Sequence, residues 1–158
     1  NQDQERELDI GQHLANVVDS LRPAWKHRPV EVKLKVPKDL VTRTFPGCLA
    51  QIVTNLIMNS LDHGFGPSGE GSITIKCGVF GNTVELDYRD TGKGMDSLAA
   101  QRIYEPFFTT KRDAGNTGLG MNIVHNLVKT TLGGTIDLDT APGKGAHFII
   151  RFPVSTRL

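Results

Sequence analysis

The sequence predicts an α/β fold, a two-layer sandwich in which a mixed, mostly antiparallel sheet packs against three helices. Three observations carry this. Helical and strand periodicities alternate in mixed order along 158 residues. Two of the strand pairs are joined by short glycine-containing turns. The composition, 38% hydrophobic and 22% charged, is that of one globular unit, and a chain of this length buries about 68–70% of its unfolded surface. One self-sufficient domain over residues 1–158 follows.

Residues 7–10 are a short strand candidate. Leu14, Val17, Val18 and Leu21 fall at i, i+3, i+4 and i+7, an amphipathic helix with Pro23 just beyond it. Val30, Val32, Leu34 and Val36 alternate with polar or charged residues, a strand with one buried face that Pro37 stops. Leu49, Ile52, Val53, Leu56, Ile57 and Leu61 then form an apolar stripe on a central helix over residues 46–62. Pro46 suits its first turn, where a missing N–H costs nothing. A Gly/Pro/Ser loop over 64–71 leads to strands at 72–80 and 83–89, with Gly81-Asn82 as a two-residue hairpin loop. After Asp90 comes a long irregular stretch holding Gly92, Gly94, Gly115 and Gly118, a length that inside a compact domain goes with function or mobility. Leu119, Ile123, Val124, Leu127 and Val128 restore helical spacing until Gly133-Gly134, and strands at 135–140 and 146–154 close the chain around a turn at 141–145.

Charge and cysteine content exclude several roles. Eighteen Lys and Arg against 17 Asp and Glu leave a net charge of +1, so no general field draws nucleic acid or a membrane surface. Cys48 and Cys77 lack a C-x-x-C or His-rich setting and read as reduced core thiols of a cytosolic protein, with no zinc cage. No apolar run approaches the roughly 18 residues of a membrane span. The first seven residues are polar, unlike a secretory leader.

Four constellations carry chemistry. On the central helix Gln51, Asn55, Asn59 and Asp62 or His63 recur at three- or four-residue steps, opposite the Leu/Ile stripe. This is either a solvated face or a pair of carboxamides offering neutral oxygens to a hard cation. Asparagine is a mediocre helix former, which favours the second reading. Asp90-Thr91-Gly92-Lys93-Gly94-Met95 follows a strand directly. It is either an Asx turn or an aspartate placed to accept from an exocyclic amine, with glycines that let backbone approach a flat ring. Gly115 to Gly120 opens a helix, so its unpaired N–H groups suit phosphate, unless it is only a flexible connection. It is neither a Walker loop nor a dinucleotide fingerprint. Last, Phe107 and Phe108 sit in mid-loop, where two exposed phenylalanines are unfavourable, so they pin the loop to the core or meet a partner.

In this order and spacing the four elements resemble the catalytic, ATP-binding domain of bacterial sensor histidine kinases, within the superfamily that also holds gyrase and MutL ATPase domains. The likeness covers nearly the whole chain. Asn55-Leu56-Ile57-Met58-Asn59-Ser60 is similar to the family's N box, Asp90 to Gly94 to its G1 box and Tyr104 to Phe108 to its F box. Thr117-Gly118-Leu119-Gly120 is similar to the G2 box, and Pro142-Gly143-Lys144-Gly145 with Phe148 to the late glycine motif. The resemblance implies the Bergerat ATP-binding fold, with ATP and Mg²⁺ bound. Asn55 and Asn59 would ligate Mg²⁺, Asp90 would accept from the adenine 6-amino group, and His63 would lie beside the base. Gly92 and Gly94 would give the base room, next to Met95 and Phe108. Thr117, Gly118, Leu119 and Gly120 would cradle the phosphates, under a lid over about 95–117 from which Lys111 or Arg112 would reach the γ-phosphate.

Against the family pattern, Asp62 stands where relatives place Lys or Arg, Ser60 where Ala is commoner, and Ala146 where a Thr helps bind adenine through water. The hydrolytic relatives carry a water-activating Glu at the position of Asn55, which cannot act as a base. The resemblance therefore implies slow hydrolysis and phosphoryl transfer to a histidine. None of His13, His27, His63, His125 or His147 is followed by an acidic residue, so the acceptor is expected on an upstream dimerisation hairpin, with a response regulator receiver domain as the indirect partner. A cytoplasmic domain is implied, monomeric in isolation, within a homodimeric parent that is soluble or anchored in the inner membrane. The remaining readings are an anti-sigma-type serine kinase and a degenerate nucleotide-binding module without turnover.

Overall fold

The computed structural model describes residues 3–66, 69–106 and 120–155. In chain order the elements are β1 (Arg6–Asp9), α1 (Ile10–Leu21) with a 3₁₀ turn (Arg22–Ala24), β2 (Val30–Lys35), β3 (Val41–Thr44) and α2 (Pro46–Asn59), extended by a π turn (Ser60–Gly64). Then follow β4 (Gly71–Phe80), β5 (Thr83–Asp90), α3 (Ser97–Arg102), α4 (Gly120–Asn126) with a second π turn (Leu127–Thr131), β6 (Thr135–Thr140) and β7 (Ala146–Pro153).

Five strands form one sheet in the order β2-β4-β5-β7-β6. Only β2 and β4 run parallel; the other three pairings are antiparallel. The expected mixed, mostly antiparallel two-layer sandwich is therefore the observed architecture. Alternation along the strands explains it. Val84, Leu86, Tyr88 and Asp90 of β5 and Ala146, Phe148, Ile150 and Phe152 of β7 are buried on one face, and there they meet Leu14, Ile52, Leu56 and Val124 of the helices in one core. The opposite face carries cross-strand charge. Arg151 donates to Glu85 at 2.9 Å and lies 3.8 Å from Asp137, and Asp87 meets His147 at 2.8 Å and Arg89 at 3.3 Å. Such outward pairs keep an open sheet face polar. Among the described residues no helix is long and apolar enough to cross a membrane.

Three local features depart from the sequence expectation. Helix α1 starts at Ile10 because Asp9 caps it, its carboxylate accepting the Gln12 amide at 3.1 Å. Strand β3 pairs with β1 as a separate antiparallel ribbon. Its burial is inverted, with Val41 60% exposed while Thr42 and Thr44 are buried, so hydrophobic alternation does not reveal it. Helix α3 is only six residues long, capped by Asp96, which accepts from the Ala99 amide.

The central helix is capped from afar. Phe45 makes no side-chain cap bond. Instead the Asp3 carboxylate accepts from the Gly47 amide at 3.0 Å and the Cys48 amide at 2.9 Å, two of the donors a helix start leaves unpaired. The other end of the chain arrives at the same place, since the Ser155 hydroxyl donates to Glu5 and its amide to the Arg43 carbonyl.

Asp3→Ala is expected to lower stability by about 1 kcal/mol, the usual worth of a helix cap, seen as a lower urea midpoint at unchanged slope. A second expectation concerns acid. Burial pushes the Asp87 carboxyl up, but hydrogen bonds from His147 and Arg89 outweigh it and hold it below its ordinary value. A carboxyl depressed in the folded state stabilises above its unfolded value and loses that contribution as pH falls through the folded one. Asp87→Asn should therefore flatten the loss of thermal stability below about pH 4, as read from melting temperatures between about pH 2 and 5.

Candidate functional site

The site is built where α2 ends. The Phe65 amide bonds the Ser60 carbonyl at 2.9 Å, five residues back, so the last turn is wide, a feature frequent at functional sites. That turn brings Gly64 against the loop after β5, where its carbonyl accepts the Lys93 amide at 2.9 Å. A Cβ on Gly92 would lie 2.7 Å from the same carbonyl oxygen, closer than any side chain tolerates.

Asp90, the last residue of β5, is 8% exposed. Its Oδ1 accepts from the Gly92 and Ala146 amides, each at 3.0 Å, and its Oδ2 accepts from the Ser60 hydroxyl at 2.6 Å. An ionised carboxylate has about four acceptor positions, two per oxygen. Three are used, and the open one is on Oδ2. The arrangement can take one further N–H or O–H donor.

Behind Asp90 lies a buried relay. The Ser60 Oγ is 2.6 Å from the Tyr88 hydroxyl, which is also 3.0 Å from the Leu56 carbonyl. The serine hydrogen is committed to the carboxylate, so Tyr88 donates toward Ser60 or Leu56. Burial raises the Tyr88 hydroxyl well above its ordinary value, with the Asp90 charge adding to the rise and the Ser60 hydrogen bond opposing it. It stays a donor at any ordinary pH. Neither Ser60 nor Tyr88 is among the sequence-predicted site residues. Ser60 in particular reads as a small core residue, and its link to Asp90 spans 30 positions.

The glycine-rich turn before β7 packs on the back of the 90–94 loop. The Gly143 amide donates to the Lys93 carbonyl at 2.6 Å, the Met95 amide to Thr140 Oγ1 at 3.1 Å, and Thr140 Oγ1 to the Gly145 carbonyl at 2.6 Å. Gly94 has φ +68°, and a Cβ there would sit 2.0 Å from the Ala141 carbonyl oxygen. Gly145 has φ +69°, and a Cβ there would sit 2.1 Å from the Asp90 carbonyl oxygen. The backbone thus supplies its own reason for glycine at Gly92 and Gly94, apart from any room for a base, since at each of them backbone meets backbone. Ala146 lacks the hydroxyl expected by family resemblance, and its amide instead holds Asp90.

Asn55 and Asn59 do share a face of α2. Gln51 donates to Asn55 Oδ1 at 2.7 Å, and Asn55 Nδ2 donates to the Gly120 carbonyl at 3.0 Å, tying α2 to the first residue of α4. Asn59 and His63 are half-buried at one-turn steps beyond it. Among the described residues no three His, Cys, Asp or Glu side chains gather to hold a metal. Two carboxamide oxygens fit a hard cation only if its other ligands come from water and an anionic substrate, as for magnesium. Phe108, Lys111, Thr117, Gly118 and Leu119 lie outside the described residues. Met95 is partly buried against the core. Tyr104 stacks on His125 with ring centroids 4.8 Å apart, its hydroxyl pushed up to about 12 by burial and by Asp137. His13 and His147 have structural partners, the Pro46 carbonyl and Asp87.

The model of the family described as histidine kinase-, DNA gyrase B-, and HSP90-like ATPase matches residues 46–156. The sensor histidine kinase ZraS of Klebsiella oxytoca is 40% identical over 111 residues, which are 70% of this chain and 23% of that protein. The chain thus spans about a quarter of the length of the curated relatives it matches. Among solved structures, the nucleotide-free catalytic domain of histidine kinase ThkA has a TM-score of 0.83 at 21% identity, covering 97% of this chain and 99% of that one. A structure of ThkA in complex with the response regulator protein TrrA gives 0.79 at 19% identity, covering 97% and 42%. At such identities the likeness shows the fold.

Gly94→Ala tests the packing beneath the site. Left-handed backbone alone costs a non-glycine residue about 1–2 kcal/mol, and the clash with Ala141 adds to it. A drop in melting temperature larger than that of Gly143→Ala is expected, because Gly143, also left-handed, has nothing within 4 Å of its added Cβ.

Proposed function

The chain belongs to the histidine kinase-, DNA gyrase B-, and HSP90-like ATPase family, and from that premise we propose that it binds Mg-ATP and passes the γ-phosphoryl group to a histidine on another domain of a sensor histidine kinase. The observation that carries the reading is Asp90. It is held by three donors with one acceptor position left on Oδ2, which suits one N–H of the adenine 6-amino group. His63 would flank the base, with Met95 and Phe108 nearby. Thr117, Gly118, Leu119 and Gly120 would offer N–H groups to the phosphates at the start of α4, where the helix dipole favours negative charge.

Asn55 and Asn59 would hold Mg²⁺ through their carboxamide oxygens, and the ion when bound neutralises phosphate charge. Asn55 is no base, so water at this face is not activated. The reaction rests on positioning: the bond from γ-phosphorus to the ADP oxygen breaks as a phosphorus–nitrogen bond forms to the incoming imidazole, which loses its ring proton. Lys111 would reach the γ-phosphoryl oxygens. We take the acceptor histidine to lie on a helical hairpin of the parent protein, with a response regulator as the next acceptor. The ThkA–TrrA complex supports that choice of partner.

Calorimetry with a non-hydrolysable ATP analogue is expected to show binding that strengthens with Mg²⁺. Asp90→Asn should weaken it about 10- to 100-fold, the worth of a hydrogen bond to a charged group. With radiolabelled ATP, an added histidine-bearing hairpin should take up an acid-labile label while this chain alone does not. Rapid hydrolysis abolished by Asp90→Asn, or label on the isolated chain, would sink the phosphotransfer reading.

A further inference from the structure

We propose that Ser60 and Tyr88 are positioning residues that make the site selective for a 6-amino purine, an inference that rests on the nucleotide reading above. Ser60 is fully buried on the wide turn ending α2, and Tyr88 is 1% exposed on β5. A hydroxyl buried in a core is unfavourable unless bonded, and an alanine would fill nearly the same space. The hydroxyl of Ser60 therefore matters for its bonds. It has one hydrogen, and an ionised carboxylate can only accept, so that hydrogen goes to Asp90 Oδ2 at 2.6 Å. With Oδ1 filled by the Gly92 and Ala146 amides, the serine occupies one of the two places left and turns the carboxylate so that a single acceptor remains.

Tyr88 locks the serine. Its hydroxyl stands 2.6 Å from Ser60 Oγ and 3.0 Å from the Leu56 carbonyl, and with the hydrogen of Ser60 lying toward Asp90, the one Tyr88 hydrogen, shared between these two acceptors, is what can cross the shorter contact. A serine beside a carboxylate could otherwise rotate and donate to a 6-oxo base. Receiving from Tyr88 while donating to Asp90 leaves it no hydrogen to offer. A 6-oxo purine then sets its oxygen against carboxylate oxygen with no proton between them, whereas a 6-amino purine donates into the open position. Sites built around a specific hydrogen bond discriminate strongly in this way, because the mismatched ligand leaves buried polar groups unpaired.

The test compares ADP with inosine diphosphate, which differs in the 6-position group, by calorimetry with Mg²⁺ on the chain and its variants. The ADP/IDP affinity ratio should fall about 5- to 20-fold in Ser60→Ala, on the scale of one hydrogen bond to a charged group, chiefly through loss of ADP affinity. It should fall in the same direction in Tyr88→Phe, through gain of IDP affinity. Ser60→Ala should fold, since Tyr88 keeps the Leu56 carbonyl at 3.0 Å as an acceptor. In an Asp90→Asn background the serine substitution should leave the ratio unchanged. A merely structural role lowers both affinities together, and an unaltered ratio in both single variants overturns the inference while wild-type ADP selectivity leaves the nucleotide reading standing. Failure of the wild type to bind either nucleotide overturns both.

Discussion

The Asp90 carboxylate is the interaction on which the site depends. Three elements far apart in the chain converge on its two oxygens: the end of α2 through Ser60, the start of β7 through Ala146, and the loop after β5 through Gly92. Each donor satisfies a group that would otherwise be buried unpaired, and together they orient the acceptor left over. The carboxylate is 8% exposed and bonded to the fold through three donors, with one acceptor position left on Oδ2. A buried charge persists only when paired and hydrogen-bonded, and these three donors meet that condition.

The same convergence accounts for the glycines. Where Asp90 draws three segments together their backbones must touch, and side chains are excluded there. Gly92 meets Gly64, Gly94 meets Ala141, and Gly145 meets the carbonyl of Asp90 itself. The late glycine turn is in this sense the rear wall of the site. Its hydrogen bonds to Lys93 and Met95 hold the loop that carries Gly92 and so, at one remove, a donor to Asp90.

What could be read from sequence was what repeats along a few neighbouring residues. The stripe from Leu49 to Leu61 and the alternation of β2, β5 and β7 are one-sided burials, and periodicity registers them directly. Asp90, Asn55 and Asn59 stood out because polar groups at those spacings need a reason. Strand β3 stayed hidden because its buried residues are Thr42 and Thr44 and its exposed one is Val41. The cap of α2 stayed hidden because Asp3 comes from 44 residues away. Ser60 was seen as a small residue facing the core, which it is, but its partners Tyr88 and Asp90 lie on β5 and no local pattern connects them. Gly92 and Gly94 were recognised without their backbone neighbours Gly64 and Ala141, because a sequence shows that a side chain is excluded and does not show by what.

The two halves of the site are joined through Asn55. Its carboxamide bridges Gln51 on its own helix and the carbonyl of Gly120, the first residue of α4. A glutamate there would bring a carboxylate to that carbonyl, two acceptors with no proton between them, so the bond that joins α2 to α4 requires the neutral amide. The points where the chain enters and leaves residues 107–119 are both held to α4, at one end by Tyr104 stacked on His125 and at the other by Gly120. The residue that would be the hydrolytic base in an acidic version of this face is thus also a tether for the segment expected to cover the phosphates. In the proposed reading a single asparagine would favour transfer over hydrolysis, and its bond to Gly120 fixes where α4 begins relative to that face of α2, so chemistry and architecture would place the same demand on that position.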